Sequence, residues 1–314
     1  MNMNEAKPPI YWISDYLTPD DVLNHAVHKV ILHTHTQFQE LWIVDCGTYG
    51  KGLVLDGIWQ SSTGDDFLYH ESLVQPACVN QGDPKRGLVL GGGEGATIRE
   101  LLKWKNMERV VMVDLDREVV EACIEHLPEM HQGAFDDPRV ELVIQDAVAY
   151  LDNSPSEWDV IISDLTDPIE HGPSFMLFTR EYFAKAQKAL RSGGYFLLQA
   201  GPVSPPSMEM HIRLVSTLKA VFKYVHSYHI HVPMLGHPWG FILASDSPIN
   251  LRPDPEAVDE LLADKTNGKF KMFDGTTLLG LMQSPKHIRD AIAKETTVYT
   301  IEHPPVFSTQ ELPK

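Results

Sequence analysis

The sequence predicts an α/β protein, in which a parallel sheet with crossover helices follows a small antiparallel β-domain. Three observations carry this expectation. Up to about residue 80, short β-type runs at 29–33, 40–44 and 52–55 are punctuated by Gly47, Gly50 and the Asp56-Gly57 pair, a pattern of hairpins. After Asp83-Pro84 the chain alternates strand with helix, which calls for parallel strands and crossover connections. Late in the chain, runs at 225–232 and 241–244 are joined by a Pro/Gly-containing loop. A closing antiparallel pair after a parallel set is the arrangement of the methyltransferase-type Rossmann fold. The expected division is an N-terminal β-domain over 1–80 and a Rossmann-like catalytic domain over 81–314.

Parallel strands are expected at 87–90, 110–113, 140–144, 160–163 and 195–199, with helices near 98–104, 118–125 and 181–190. The last helix is expected to stop at Ser192-Gly193-Gly194, since glycine favours helix C-termini. A helix over 207–222 has Met208, Ile212, Val215, Leu218 and Phe222 at helical spacing, read as core. From about Ser247 the chain looks less regular, with a short helix near 286–294.

The 314 residues carry a net charge of −17 and ordinary apolar and charged fractions. Such charge disfavours nucleic acid and anionic membranes, which need basic footprints, and would draw in a cation; it also simply aids solubility. The longest apolar run, near 110–115, is strand-sized, far short of the roughly 20 residues that cross a bilayer. The start, MNMNEAKPP, shows no secretory signal pattern, and Cys46, Cys78 and Cys123 are odd in number and widely spaced. A reducing, cytoplasmic location is expected.

Leu88 to Ala96 reads LVLGGGEGA, a strand followed by a glycine-rich turn that opens a helix. Glycine lets the backbone approach a ligand closely. Asp114 ends the next strand, about 20 residues on, where an acid can hold ribose hydroxyls. Asp146 ends the strand after that, placed to accept from an adenine amino group. Together they fit an adenosylmethionine-like nucleoside. NAD is the alternative ligand, and helix N-capping is the structural alternative for the acids.

The fourth strand ends in Ser163-Asp164-Leu165-Thr166-Asp167-Pro168. Ligands of open parallel sheets bind beyond the carboxyl ends of strands, so Asp164 and Asp167 should share the nucleoside's crevice. An alkylammonium, with a pKa near 10.4 as in lysine, must lose a proton before it attacks carbon. A nearby carboxylate can hold the cation and accept that proton. An Asp-Pro turn accounts for Asp167 but poorly for Asp164.

These motifs, in order GGGEGATIRE, VMVDLD, QDA and DLTDP, resemble the spermidine and spermine synthase family. So do the upstream stretches at 38–42, 55–60 and 69–71, and the likeness runs from about Trp12 to Tyr299. The resemblance implies aminopropyl transfer from decarboxylated S-adenosylmethionine to an amine, releasing 5'-methylthioadenosine, with no other cofactor. It implies that Asp164 receives the amine proton and that Tyr69 hydrogen-bonds the attacking amine. Gln60, His70 and Asp167 correspond to acceptor-binding residues. Gln39, Asp114, Asp146, Ala147 and Pro173 correspond to nucleoside contacts. Glu94 corresponds to the acid that binds the transferred chain's terminal ammonium. A carboxylate on that chain, as in S-adenosylmethionine itself, would meet Glu94 as a like charge. The resemblance also implies a homodimer or homotetramer joined through the β-domain.

Putrescine is the expected acceptor, but several features are similar to thermospermine synthases and agmatine-accepting bacterial enzymes. They are the Thr63-Gly64 stretch, the loop at 233–240, which lacks a tyrosine, the longer turn after Pro168, and the segment Glu295 to Thr300. Thr63-Gly64 stands where the family often has Glu-Arg, which weakens any ion-pair role there. Agmatine and spermidine are the alternative acceptors. No metal is expected: His33 with His35, and His229 with His231, alternate along strands, but the sequence shows no third ligand. No serine lies in a Gly-x-Ser-x-Gly elbow, so a hydrolase triad has no support. An NAD-dependent oxidoreductase and a non-catalytic polyamine-binding protein are the readings from other classes. The first leaves Asp146, Asp164 and Asp167 unexplained. The second leaves the presence of both Asp164 and Tyr69 unexplained, since loss of chemistry need not preserve the proton acceptor.

Overall fold

A hairpin of β1 (Tyr11–Thr18) and β2 (Asp21–Val27) precedes a four-stranded antiparallel sheet of β3 (Lys29–His35), β4 (Glu40–Asp45), β5 (Lys51–Leu55) and β6 (Ile58–Ser62). The structure, a computed structural model, describes residues 8–168 and 174–305. Asp56 and Gly57, both at positive φ, turn β5 into β6, the hairpin use of an Asp-Gly pair.

The next element departs from the sequence expectation. Residues 66–81, read above as part of the β-domain, form helix α1 (Asp66–Gln81). It is buried without interruption from His70 to Cys78, because it packs against the central sheet. A helix covered on nearly every side has no polar face, so its sequence lacks the amphipathic period that marks a surface helix.

The central sheet has seven strands, β7 (Arg86–Gly91), β8 (Arg109–Asp114), β9 (Val140–Ile144), β10 (Trp158–Asp164), β11 (Leu190–Pro202), β12 (Tyr224–Val232) and β13 (His237–Ser245). Their spatial order is β12-β13-β11-β10-β7-β8-β9. The pairs among β7 to β11 are parallel, and β13 is antiparallel to both β11 and β12. This is the methyltransferase-type arrangement. Parallel strands are covered on both faces. On one side Val89, Met112, Ile162 and Leu197 meet Leu73, Val74 and Ala77 of α1. On the other, Leu88, Val111, Ile161 and Phe196 meet Leu151, Phe183 and Leu214.

Those residues come from α5 (Ala147–Asn153), α6 (Arg180–Ala189) and α7 (Glu209–Lys219), while α2 (Ala96–Leu102), α3 (Arg117–His126) and the single turn α4 (Pro128–His131) connect β7, β8 and β9. Helix α6 ends at Ala189, ahead of the expected glycine stop. The chain joins β11 at Leu190, and the register with β10 breaks between Trp158 and Val160, with Gly193 at φ +82°. The glycines therefore shape a bulge rather than a helix cap. In α7 the buried stripe is Met210, Leu214, Val215 and Leu218, with Met208 and Ile212 only half-buried. The region read as irregular contains α8 (Pro255–Lys265) and α9 (Gly275–Leu281) before the expected α10 (Lys286–Lys294). Asp254 and Asp274 cap α8 and α9. Among the described residues no helix is long and apolar enough to cross a membrane.

A buried ion network ties α1 to α2 and to the C-terminal segment. Arg99 reaches Asp66 at 2.8 Å and Glu100 at 3.0 Å, and Lys103 reaches Glu100 at 2.8 Å. Glu71, 1% exposed, accepts the backbone N–H groups of Lys271, Met272 and Phe273, each at 2.8 Å. Removing this carboxylate leaves three amides and part of a cation pair unsatisfied. Glu71→Ala is therefore expected to lower the unfolding free energy by about 3 kcal/mol, read as a fall in urea midpoint at constant m.

Candidate active site

The chain runs from β7 through β8 to β9 on one side, then returns to β10 and β11 on the other side of β7. The crevice beyond the carboxyl ends of β7 and β10 is thus the switch point where α/β sheets bind ligands. The register pairs Asp164 with Gly91, and the Gly92 N–H donates to the Asp164 carbonyl at 2.9 Å. Gly91 has φ +85°, and a Cβ there would lie 2.2 Å from that carbonyl oxygen. No other residue fits.

The cavity at this point is lined by Gln39, Gln60, Tyr69, Glu94, Asp114, Asp146, Ala147 and Asp164, among others. Eight of the residues singled out in the sequence therefore converge on it. Asp114 closes β8, and its Oδ1 accepts the Asp116 N–H at 2.9 Å. Burial pushes its carboxyl up to about 6, against the Asp116 amide and with the charges of Asp116, Glu94 and Asp164 adding. Asp146 caps α5 through the Ala149 N–H at 2.8 Å, so its capping role is real while it also faces the cavity. Asp116, which the sequence reading passed over, caps α3 and accepts from Gln39 Nε2 at 3.0 Å and Thr36 Oγ1 at 2.6 Å. It thereby holds the β3–β4 turn, with Phe38 and Gln39, over the cavity.

Asp164 is held by two hydroxyls. Tyr69 OH donates to Oδ1 at 2.9 Å and Thr97 Oγ1 to Oδ2 at 2.5 Å. Burial raises the Asp164 pKa, and the Glu94 charge raises it further, against His70 and the two hydroxyls. The Tyr69 phenol is pushed well above 10 by burial and by Asp164, so it stays a donor.

His70 does not line the cavity. It is fully buried behind Glu94, with Nε2 3.1 Å from Glu94 Oε1 and Nδ1 2.8 Å from the Asp66 carbonyl. The Asp66 carbonyl can only accept, and Glu94, whose pKa is lowered, accepts as a carboxylate, so both ring nitrogens donate and the ring is an imidazolium. Burial works against that charge, but the Glu94 bond outweighs it and lifts His70 to about 9. Burial likewise opposes the Glu94 charge, and the His70 contact wins, lowering the Glu94 pKa.

Asp167 also stands off the cavity lining. Its Oδ1 accepts from Gln199 Nε2 at 3.1 Å, and Gln199 Oε1 accepts from Trp239 Nε1 at 3.1 Å. Burial pushes Asp167 up to about 6. Asp15 of β1 is lifted to about 6 by burial, with the Asp167 charge adding and a Trp59 backbone bond opposing. Gln199, Trp239, Asp15 and Thr97 had no signal in the sequence, except that Asp15 falls on the inward face of its strand with Tyr11 and Ile13. Pro173, expected at the nucleoside, lies outside the described residues.

A seven-stranded sheet of this order with an acid-lined switch point is that of the methyltransferase-type Rossmann class. Residues 66–253 match the spermine/spermidine synthase domain, and residues 11–62 the spermidine synthase tetramerisation domain. The chain is 52% identical to a polyamine aminopropyltransferase of Synechococcus sp. over 96% of its length and 99% of the relative's. It is 41% identical to a polyamine aminopropyltransferase of Aeropyrum pernix over 93% of its length and 94% of the relative's. A crystal structure of spermidine synthase in complex with the transition-state analogue AdoDATO superposes with a TM-score of 0.84 at 27% identity, covering 92% of this chain and 97% of that one. The spermidine synthase of Thermotoga maritima gives 0.82 at 27% identity, with the same coverage. The chain belongs to the spermine/spermidine synthase family and is an enzyme of the aminopropyltransferase type.

The His70–Glu94 pair makes stability depend on pH with a definite sign. His70 is raised from 6.5 to about 9, so its contribution is complete below pH 6.5 and is lost as pH rises through about 9. Glu94 is lowered from 4.5, so its contribution is complete above pH 4.5 and is lost on acidification. The urea midpoint is expected to fall from pH 6.5 to 9. His70→Asn should flatten that limb, which a midpoint-against-pH series measures.

Proposed function

We propose that this protein, as a cytoplasmic oligomer, moves the aminopropyl group of decarboxylated S-adenosylmethionine to a di- or polyamine, releasing 5'-methylthioadenosine. The observation that carries the reading is Asp164: a buried carboxylate of raised pKa at the switch point, gripped by Tyr69 and Thr97, among further acids. The amine nitrogen attacks the propyl carbon bonded to sulfur. The C–S bond breaks with its electron pair on sulfur, and the nitrogen's surplus proton passes to Asp164. A raised pKa makes Asp164 a better proton acceptor at the moment of transfer. The sulfonium is already an activated leaving group, so no cofactor beyond this co-substrate enters.

Asp114, Asp146, Ala147 and Gln39 would hold the nucleoside, with Pro173 assigned there by resemblance alone. Glu94, kept ionised by His70, would bind the terminal ammonium and repel a donor that still carries its carboxylate. His70 acts through Glu94 rather than on the acceptor directly. Asp167, framed by Gln199 and Trp239, would take the acceptor's far ammonium, with Gln60 on the cavity wall nearer the reacting end. Putrescine is the acceptor we favour. Asp15, whose ionisation the Asp167 charge already perturbs, favours a second reading in which agmatine or spermidine is the acceptor and its extra cationic group needs another carboxylate. The relatives' names and the analogue-bound spermidine synthase support the chemistry, and the tetramerisation match at 11–62 supports a homotetramer over a homodimer.

The test is mass spectrometry of the protein with decarboxylated S-adenosylmethionine and, separately, putrescine, agmatine, spermidine and spermine. One amine should gain an aminopropyl unit as methylthioadenosine appears, and silence with all four would defeat the proposal. Asp164→Asn is expected to keep methylthioadenosine binding while losing about 10²–10⁴-fold in turnover, the usual worth of a general base. Near wild-type rates in that variant would remove Asp164 from its role.

A further inference from the structure

We propose that the neck of the β3–β4 hairpin binds one divalent ion of the zinc class through His33, His35 and Glu40. His33 and His35 are two residues apart on β3 and so project from one face. The antiparallel register sets Glu40 opposite His35 and Trp42 opposite His33, which brings the carboxylate to the same face. This is the third ligand that spacing along the chain could not reveal.

The geometry is near that of a coordination sphere. His33 Nε2 lies 2.8 Å and His35 Nε2 3.9 Å from Glu40 Oε1, and one ligating atom from each of the three side chains falls within 4.8 Å of the others. Tetrahedral zinc with bonds of about 2.0–2.2 Å puts its ligand atoms roughly 3.4 Å apart. The first gap must open and the second close by about half an ångström, a small adjustment for side chains at a hairpin surface. The His33 ring is steadied by stacking on Trp42, with centroids 3.4 Å apart and planes 12° from parallel. The Glu40 backbone N–H is fixed to Asp56 Oδ1 at 2.8 Å. The His35 side chain is 72% exposed in the single chain.

Two imidazoles and a carboxylate match zinc and leave a fourth position for water. Magnesium and calcium, which prefer oxygen-only ligands, are disfavoured. Among the described residues no other group of three such side chains meets this spacing. The site stands apart from the reaction proposed above, but the residues it would clamp flank the turn that carries Phe38 and Gln39 to the cavity. An ion there would cross-link the two strands at the base of that turn.

The test uses full-length, tag-free protein stripped with chelator and titrated with Zn²⁺ by calorimetry and with Co²⁺ by its visible d–d spectrum. One equivalent is expected to bind. Loss of an outer partner that merely orients a ligand costs about 10–100-fold in metal affinity, so His35→Ala and Glu40→Gln should each weaken binding at least about tenfold. His231→Ala, an exposed histidine on β12, should change nothing. Unchanged metal-free melting of all three variants shows that they fold. No saturable binding at one equivalent, undiminished affinity in either ligand variant, or equal weakening by His231→Ala would overturn the site.

Discussion

The parallel pairing of β7 with β10 is the constraint on which the rest of the site depends. It sets Asp164 beside Gly91 and ties the Gly92 N–H to the Asp164 carbonyl. The glycine turn and the acid at the end of β10 thereby become one wall of a crevice rather than two separate loops. A side chain at Gly91 would collide with the Asp164 backbone, so the close approach and the glycine require each other. With that wall fixed, the β7–β8–β9 pairings carry Asp114 and Asp146 to the same edge.

Helix α1 completes the site with three consecutive residues that face in three directions. Tyr69 grips Asp164, His70 pairs with Glu94, and Glu71 anchors the segment at 271–273. The side chain that meets the proposed proton acceptor and the one that fixes the C-terminal segment are thus two positions apart on one buried helix. Packing of α1 against the sheet and the placement of Tyr69 cannot be separated, which links stability to chemistry.

Electrostatics give the cavity its character. Glu94, Asp114, Asp116, Asp146 and Asp164 all line it, and Asp167 and Asp15 stand close behind. The imidazolium of His70 is bonded to Glu94 and opposes the rise of Asp164 as well. Burial and mutual repulsion lift the carboxyls of Asp114 and Asp164, and burial lifts that of Asp167, so the folded protein holds a surplus of anionic sites that a cationic ligand would relieve. The chain's overall charge of −17 reinforces this locally, since low-dielectric clefts focus the field of like charges.

Much of this was legible in the chain itself. The strand–helix alternation, the glycine turn and the acids at strand ends are encoded locally, in periodicity, in the steric freedom of glycine and in the turn chemistry of aspartate. They sufficed to predict the parallel sheet and to bring Asp114, Asp146 and Asp164 to one crevice, while Gln39, Gln60, Tyr69, Glu94 and Ala147 were named through the family resemblance. The rest depends on contacts between remote segments. Tyr69 and Asp164 lie 95 residues apart, and the packing of α1 against the sheet brings them together. Helix α1 hid because full burial erases its period. His70 moved from the expected acceptor contacts to a place behind Glu94 because helix packing, not sequence order, sets what its ring faces. Gln199, Trp239 and Asp15 join the acid end through strand neighbours and a hairpin that no short motif describes, and Glu40 meets His33 and His35 through a cross-strand register. Sequence by itself determined the kinds of group and the strand ends that bear them; the tertiary structure decided which groups touch, because contact distances are fixed by strand order and register.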